Sequence, residues 1–81
     1  MRTTVHWLRH GGARIRYELD LDVGTDVMSY RARCWKDGVF ICSFQAKVER
    51  KSSSMRWTNE TVELLAVIRV EATLRAMLES K

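Results

Sequence analysis

A change of hydrophobic period divides the chain into two parts and constrains its fold more than any other feature. Up to about residue 48, apolar and polar residues alternate with a period of two, most regularly over residues 14–23. This alternation is typical of strands that bury one face. From residue 58 onward, apolar residues recur at three- and four-residue spacings, which indicates one long amphipathic helix.

These patterns predict an α+β fold, a four-stranded antiparallel meander packed on one long C-terminal helix (ββββα). No proline, repeat or low-complexity tract interrupts the chain, so we expect one domain over residues 1–81. Thr58 is the expected helix N-cap, and Trp57 and Val62 have the spacing of a hydrophobic staple. The predicted strands cover about residues 3–9, 14–23, 28–35 and 39–48, and the helix covers about residues 58–79.

Turn residues suggest how the later strands pair. A loop over residues 24–27 gives the second and third strands inward-facing pairs that are all apolar. At the Asp37-Gly38 turn we favour a three-residue loop, which places Phe40 opposite Cys34 and again keeps the inward pairs apolar. This register faces both cysteines inward, as small buried hydrophobes.

The first hairpin turns at the two glycines of residues 11–12. A three-residue loop there places Trp7 opposite Ile15 and turns both inward. We favour this register, although a two-residue loop would place Leu8 opposite Ile15 instead.

Composition excludes several classes of site. Two cysteines and two histidines, without Cys-x-x-Cys or His-x₃₋₅-His spacing, predict no metal and no cofactor. No serine, cysteine or histidine has a recognisable catalytic partner, so we expect no enzyme. The N-terminus has no apolar signal region and no run approaches about 18 apolar residues, so we expect a cytoplasmic protein with reduced thiols and no membrane contact.

Basic residues gather in two places. The predicted outer sheet face carries arginines and Trp35, although Glu18 and Asp20 are expected to pair with two of these arginines across the strands. The connection over residues 47–56 has four basic residues and one acid, and it leads into a helix N-terminus, where anions are favoured. Both places also fit an ordinary solvated surface. The candidate binding residues are Arg14, Arg16, Trp35, Lys47, Arg50, Lys51 and Arg56.

The predicted helix is apolar on two sides. One stripe, Val67, Val70, Leu74 and Met77, is assigned to the sheet. The second stripe consists of Leu65, Ile68, Ala72 and Ala76, and a lone helix on a sheet needs only one apolar face. We expect this second stripe either to form a homodimer interface or to be covered by a wide, twisted sheet.

A resemblance to a known fold rests on the stretch over residues 30–33, the Asp37-Gly38 turn, Phe44 and the following helix. These features resemble the three-strands-plus-helix DNA-binding domains of plant apetala-type transcription factors and phage integrases. That resemblance implies DNA contacts from arginines and tryptophans on the sheet. The size and layout are also similar to small phage-encoded inhibitors, anti-CRISPR proteins among them.

The net charge of +4, from 14 Lys and Arg against 10 Asp and Glu, permits nucleic acid as a partner without requiring it. The sequence therefore predicts a non-catalytic binding module that docks on nucleic acid or on a nucleoprotein complex, as a homodimer. The alternative is a phage or mobile-element inhibitor, anti-CRISPR-like, that binds a host protein complex.

Overall fold

The computed structural model describes residues 1–80 and has the predicted α+β architecture, with one four-stranded antiparallel sheet followed by one helix. The strands lie side by side in chain order. Their bounds are Arg2–His10 (β1), Ala13–Val23 (β2), Val27–Lys36 (β3) and Val39–Glu49 (β4), and the helix is Asn59–Glu79 (α1).

The hydrophobic core lies between one face of the sheet and α1, which packs against the two central strands β2 and β3. Alternate residues of β2 and β3 supply most of the sheet side of the core, as their period-two pattern predicts. The fully buried side chains include Ile15, Tyr17, Leu19, Met28, Cys34, Val62, Val70 and Leu74.

The pairing of β2 with β3 is the predicted one, from Val23 opposite Met28 onward. The favoured pairing of β1 with β2 is wrong. Gly11 and Gly12 form a two-residue loop, with Gly11 at φ 59°, and Leu8 lies opposite Ile15. Because a shift of one residue reverses every side chain, Trp7 points to the outer face and is 53% exposed.

The favoured pairing of β3 with β4 is also wrong. Asp37 (φ 51°) and Gly38 (φ 81°) form a two-residue turn with both residues left-handed, the geometry that closes tight hairpins. The register then shifts between Cys34 and Trp35, because Ile41 is an extra residue without a partner in the ladder. Phe40 consequently pairs with Trp35 on the outer face rather than facing Cys34.

The helix begins as predicted. Thr58 is the N-cap, and its side chain and that of Thr61 form a reciprocal capping box. Val70 and Leu74 are buried as expected, but the buried row is completed by Val62 and Ala66. Met77, which was assigned to the sheet, is 45% exposed, because contact with the sheet follows residues four apart.

Candidate functional site on the open face of the sheet

One face of the sheet is covered by α1, and the other is covered by no part of the described chain. Across that open face, one side chain from each strand lines up in register. Trp7 of β1 lies opposite Arg16 of β2, Arg16 lies opposite Trp35 of β3, and Trp35 lies opposite Phe40 of β4. We call these four residues the aromatic row. Strands alternate their side chains between faces, so this row depends on the register of every hairpin.

The aromatic row is built from contacts between arginines and rings. The Arg16 guanidinium carbon lies 4.4 Å from the Trp35 ring centroid, and that of Arg14 lies 4.4 Å from the Trp7 ring centroid. Trp35 meets Phe40 edge to face, with centroids 5.7 Å apart and an interplanar angle of 75°. Both arrangements are favourable geometries for cation–π and aromatic pairs, so they hold the rings in place.

The rings at the two ends of the row are open to solvent. Trp7 and Phe40 are each 53% exposed, while Trp35 between them is half-buried. Val5 on the same face of β1 is 54% exposed and Ile41 in the bulge is 40% exposed. Clustered exposed apolar groups on a small domain commonly mark an interaction surface.

Ion pairs neutralise the rows next to the aromatic row. Glu18 accepts from Arg16 (2.8 Å) and Arg33 (3.2 Å), and Asp20 accepts from Arg31 and Arg33 (both 3.3 Å). The predicted alignment of Glu18 with Arg33 and of Asp20 with Arg31 is confirmed. The centre of the open face is therefore a self-paired charge network that includes Arg16. Arg14 lies beside this network, with its guanidinium over the Trp7 ring.

Asp20 is the most buried member of this network. Its side chain is 7% exposed, and its carboxylate also accepts a hydrogen bond of 2.7 Å from the Thr3 hydroxyl. The Thr3 hydrogen bond, together with the nearby Arg33 and Arg31 guanidinium groups, holds the pKa of Asp20 below its usual value. Asp20 is therefore ionised in the folded protein and anchors both arginines.

The structure divides the predicted site residues between the two ends of the sheet. Arg14, Arg16 and Trp35 come together at the aromatic row. Lys47 points to the same face but pairs with Ser29, six residues along β3 from Trp35, a separation of about 20 Å. Lys47 there borders a shallow groove of about 520 Å³ together with Asp22, Arg31 and Gln45.

The basic connection between β4 and α1 has a structural task. Arg50 donates to three carbonyl oxygens of its own loop, those of Ser52 (3.2 Å), Ser53 (2.8 Å) and Met55 (3.0 Å). The Trp57 indole N–H donates to the Gly24 carbonyl (2.9 Å), which ties the loop to the turn between β2 and β3. Lys51 and Arg56 remain exposed in this loop. The Arg50 guanidinium is thus largely occupied within the loop.

Trp7 and Phe40 are site residues that sequence reasoning did not select. Both were assigned to the core, because a register was chosen that paired apolar residues with one another. Two-residue loops at Gly-Gly and Asp-Gly would have turned both rings outward, and Asp-Gly is a well-known signal for such loops. Only the bulge at Ile41 has no signal in the sequence that would have indicated it.

A polar network lies on the opposite face, where β1 and β2 meet α1. The Tyr17 hydroxyl donates to Glu71 (2.8 Å), and the His6 ring stacks on Tyr17 with centroids 5.1 Å apart. Burial and the Glu71 contact raise the pKa of Tyr17, and burial lowers the pKa of His6. Because Tyr17 is fully buried, this network fastens the helix to the sheet and offers no surface for a ligand.

The outward side of α1 carries an apolar stripe. Leu64 (61% exposed) and Ile68 (58% exposed) lead at four-residue spacing into Ala72 and Ala76, which are also exposed. Leu65, which we expected in this stripe, is half-buried and packs against the core. A homodimer through Ile68, Ala72 and Ala76 stays a prediction, with Leu64 in the place of Leu65.

Within residues 1–80, no three His, Cys, Asp or Glu side chains are grouped so that they could hold a metal ion. The same residues contain no helix with the length and apolarity of a membrane span. Comparisons with protein-family models, curated proteins and solved structures found no match.

Proposed function

We propose that the domain binds single-stranded nucleic acid on the open face of its sheet, with bases stacked on the aromatic row. The observation that carries this proposal is the line of Trp7, Arg16, Trp35 and Phe40 across all four strands, with the end rings half exposed. Every base has a π-face, so stacking on such rings binds single strands with little sequence preference.

The dimensions of the row suit a few nucleotides. Neighbouring strands lie about 4.8 Å apart, so the distance from β1 to β4 is about 14 Å. In this arrangement the bound nucleic-acid strand lies across the sheet, with one base on Trp7 and another on Phe40. The exposed Arg14 and Arg9 stand at one side of the row, where a phosphate backbone would pass.

The exposed rings favour an unpaired strand over a duplex. In a duplex the base faces are stacked on one another, and only base edges in the grooves are available to a protein. Unpaired bases expose the faces that Trp7 and Phe40 can contact, which is how aromatic residues on other open sheets bind single strands.

Fluorescence anisotropy of labelled oligonucleotides tests the proposal. We expect single-stranded DNA or RNA of about ten nucleotides to bind more tightly than a duplex of the same length. Two phosphate contacts, from Arg9 and Arg14, predict a slope of about −1.4 for log affinity against log salt concentration. Equal or tighter binding of the duplex, or no binding of either, would overturn the proposal.

A protein partner is the second candidate, in the manner of a small inhibitor of a host complex. It is favoured by the exposed Val5 and Ile41 beside the aromatic row and by Leu64 and Ile68 on the helix. A domain that binds only a protein would leave both oligonucleotides unbound in the anisotropy experiment. Its binding to that protein through apolar surfaces would respond weakly to salt, whereas phosphate binding weakens as salt rises.

A further inference from the structure

The two cysteines of the chain are direct neighbours across β3 and β4. Cys34 lies opposite Cys42 in the ladder, and both side chains are on the helix side of the sheet. The bulge at Ile41 creates this pairing. Without the register shift, the same turn would place Ile41 opposite Cys34 and Cys42 opposite Arg33, so the two thiols would lie on opposite faces of the sheet.

We propose that Cys34 and Cys42 form a reversible disulfide within the sheet by exchange with a small-molecule disulfide such as oxidised glutathione. Residues directly opposite in an antiparallel pair have Cα atoms about 4.5 or 5.5 Å apart, and both values lie within the range that disulfides span. Their Cβ atoms lie about 4.5–5.5 Å apart, whereas a disulfide holds them about 3.5–4.5 Å apart. Closing the bond therefore draws the strands together, and strained disulfides are reduced easily.

The two thiols differ in access, which sets the order of steps. Cys34 is fully buried, whereas Cys42 is half-buried. Burial, reinforced by the adjacent Cys42 thiol, raises the pKa of Cys34 to about 12, so this thiol does not react first.

The exchange begins at Cys42. Its thiolate attacks one sulfur of the small disulfide, which forms a mixed disulfide and releases one small thiolate. Cys34 then loses its proton and attacks the Cys42 sulfur, which expels the second small thiolate. The protein loses two protons and two electrons in total, and the small disulfide gains them as two thiols. The resulting disulfide links β3 to β4 in the hairpin whose outer side carries Trp35 and Phe40.

Intact-mass spectrometry and tryptic mapping of the full chain test this proposal. After incubation with excess oxidised glutathione, we expect a monomer lighter than the reduced chain by two hydrogen atoms. Trypsin cleaves after Arg33, Lys36 and Lys47, so the disulfide alone would join the peptides 34–36 and 37–47. This readout needs no variant.

Two single variants assign the order of attack. Cys34→Ser is expected to keep one glutathione on Cys42, because the resolving thiol is missing. Cys42→Ser is expected to stay unmodified while folded and to react after denaturation in urea. Three results for the wild type would overturn the proposal. It could keep glutathione on Cys42, or it could stay reduced while Cys34→Ser is modified. It could also form only dimers that are linked between chains.

Discussion

Replacing Asp20 by asparagine should weaken the fold and strengthen binding of a single strand at the same time. Asp20 is 7% exposed and holds the Arg31 and Arg33 guanidinium groups at 3.3 Å. Asparagine keeps the shape and an acceptor for the Thr3 hydroxyl, so the substitution removes the charge and little else. It leaves both arginines with one fewer partner on the open face.

The expected loss of stability follows from the contacts. A hydrogen bond to a charged group contributes about 1.5–3 kcal/mol when it is well shielded. The Arg31 and Arg33 side chains are 54% and 36% exposed, so solvent screens both contacts. The carboxylate also costs more to bury than an amide, which offsets part of the gain. We therefore expect Asp20→Asn to lower the free energy of unfolding by about 1–2 kcal/mol.

The expected gain in affinity has the same origin. One positive charge that becomes available near a phosphate contributes about 1 kcal/mol in water, which corresponds to about fivefold in affinity. Urea denaturation gives the stability, and anisotropy with the single-stranded oligonucleotide gives the affinity. Asp22→Asn is the matched control. Asp22 is exposed on the same face of the same strand, and its substitution removes the same charge. Folded Asp20→Asn that is as stable as the control, or that binds more weakly than wild type, would contradict the proposed role of the Asp20 carboxylate.

Three further predictions concern the helix and the network beneath it. Because burial lowers the pKa of His6, its contribution to stability is present above pH 6.5 and is lost as the pH falls below that value. The urea midpoint of wild type should therefore drop more between pH 7.5 and 5.5 than the midpoint of His6→Gln does. His10→Gln is the control and should drop as wild type does. Equal drops for wild type and His6→Gln would contradict this prediction. Thr58→Ala should cost about 1 kcal/mol in urea denaturation through loss of the N-cap, whereas an unchanged midpoint would mean that the capping box contributes nothing. Light scattering should give twice the chain mass for wild type and one chain mass for folded Ala72→Arg, and a monomeric wild type would refute the helix-mediated dimer.

The sequence predicts the elements well because local patterns determine them. Alternation in β2 and β3 fixes which residues face the core, and Thr58 fixes the start of the helix. These signals act over a few residues, so the sequence alone carries them.

The candidate site is harder to predict because it depends on register across four strands. An error of one residue in a hairpin moves a whole row of side chains to the other face, and this happened at Trp7 and Phe40. Choosing the register that pairs apolar residues assumes that apolar residues belong in the core. That assumption fails where a protein exposes aromatic rings for contact with a partner.

The most direct test of the account compares two truncations on β1 for binding of a single-stranded oligonucleotide. Trp7 and Val5 lie on the same face of the same strand and are 53% and 54% exposed, so neither truncation opens the core. Stacking on an aromatic ring contributes about 1–3 kcal/mol per base, so Trp7→Ala should raise the Kd about 5- to 150-fold. Val5→Ala should leave the Kd within about twofold of wild type, since it stacks with no base. Equal Kd values for the two variants would contradict the proposal that the aromatic row binds the strand.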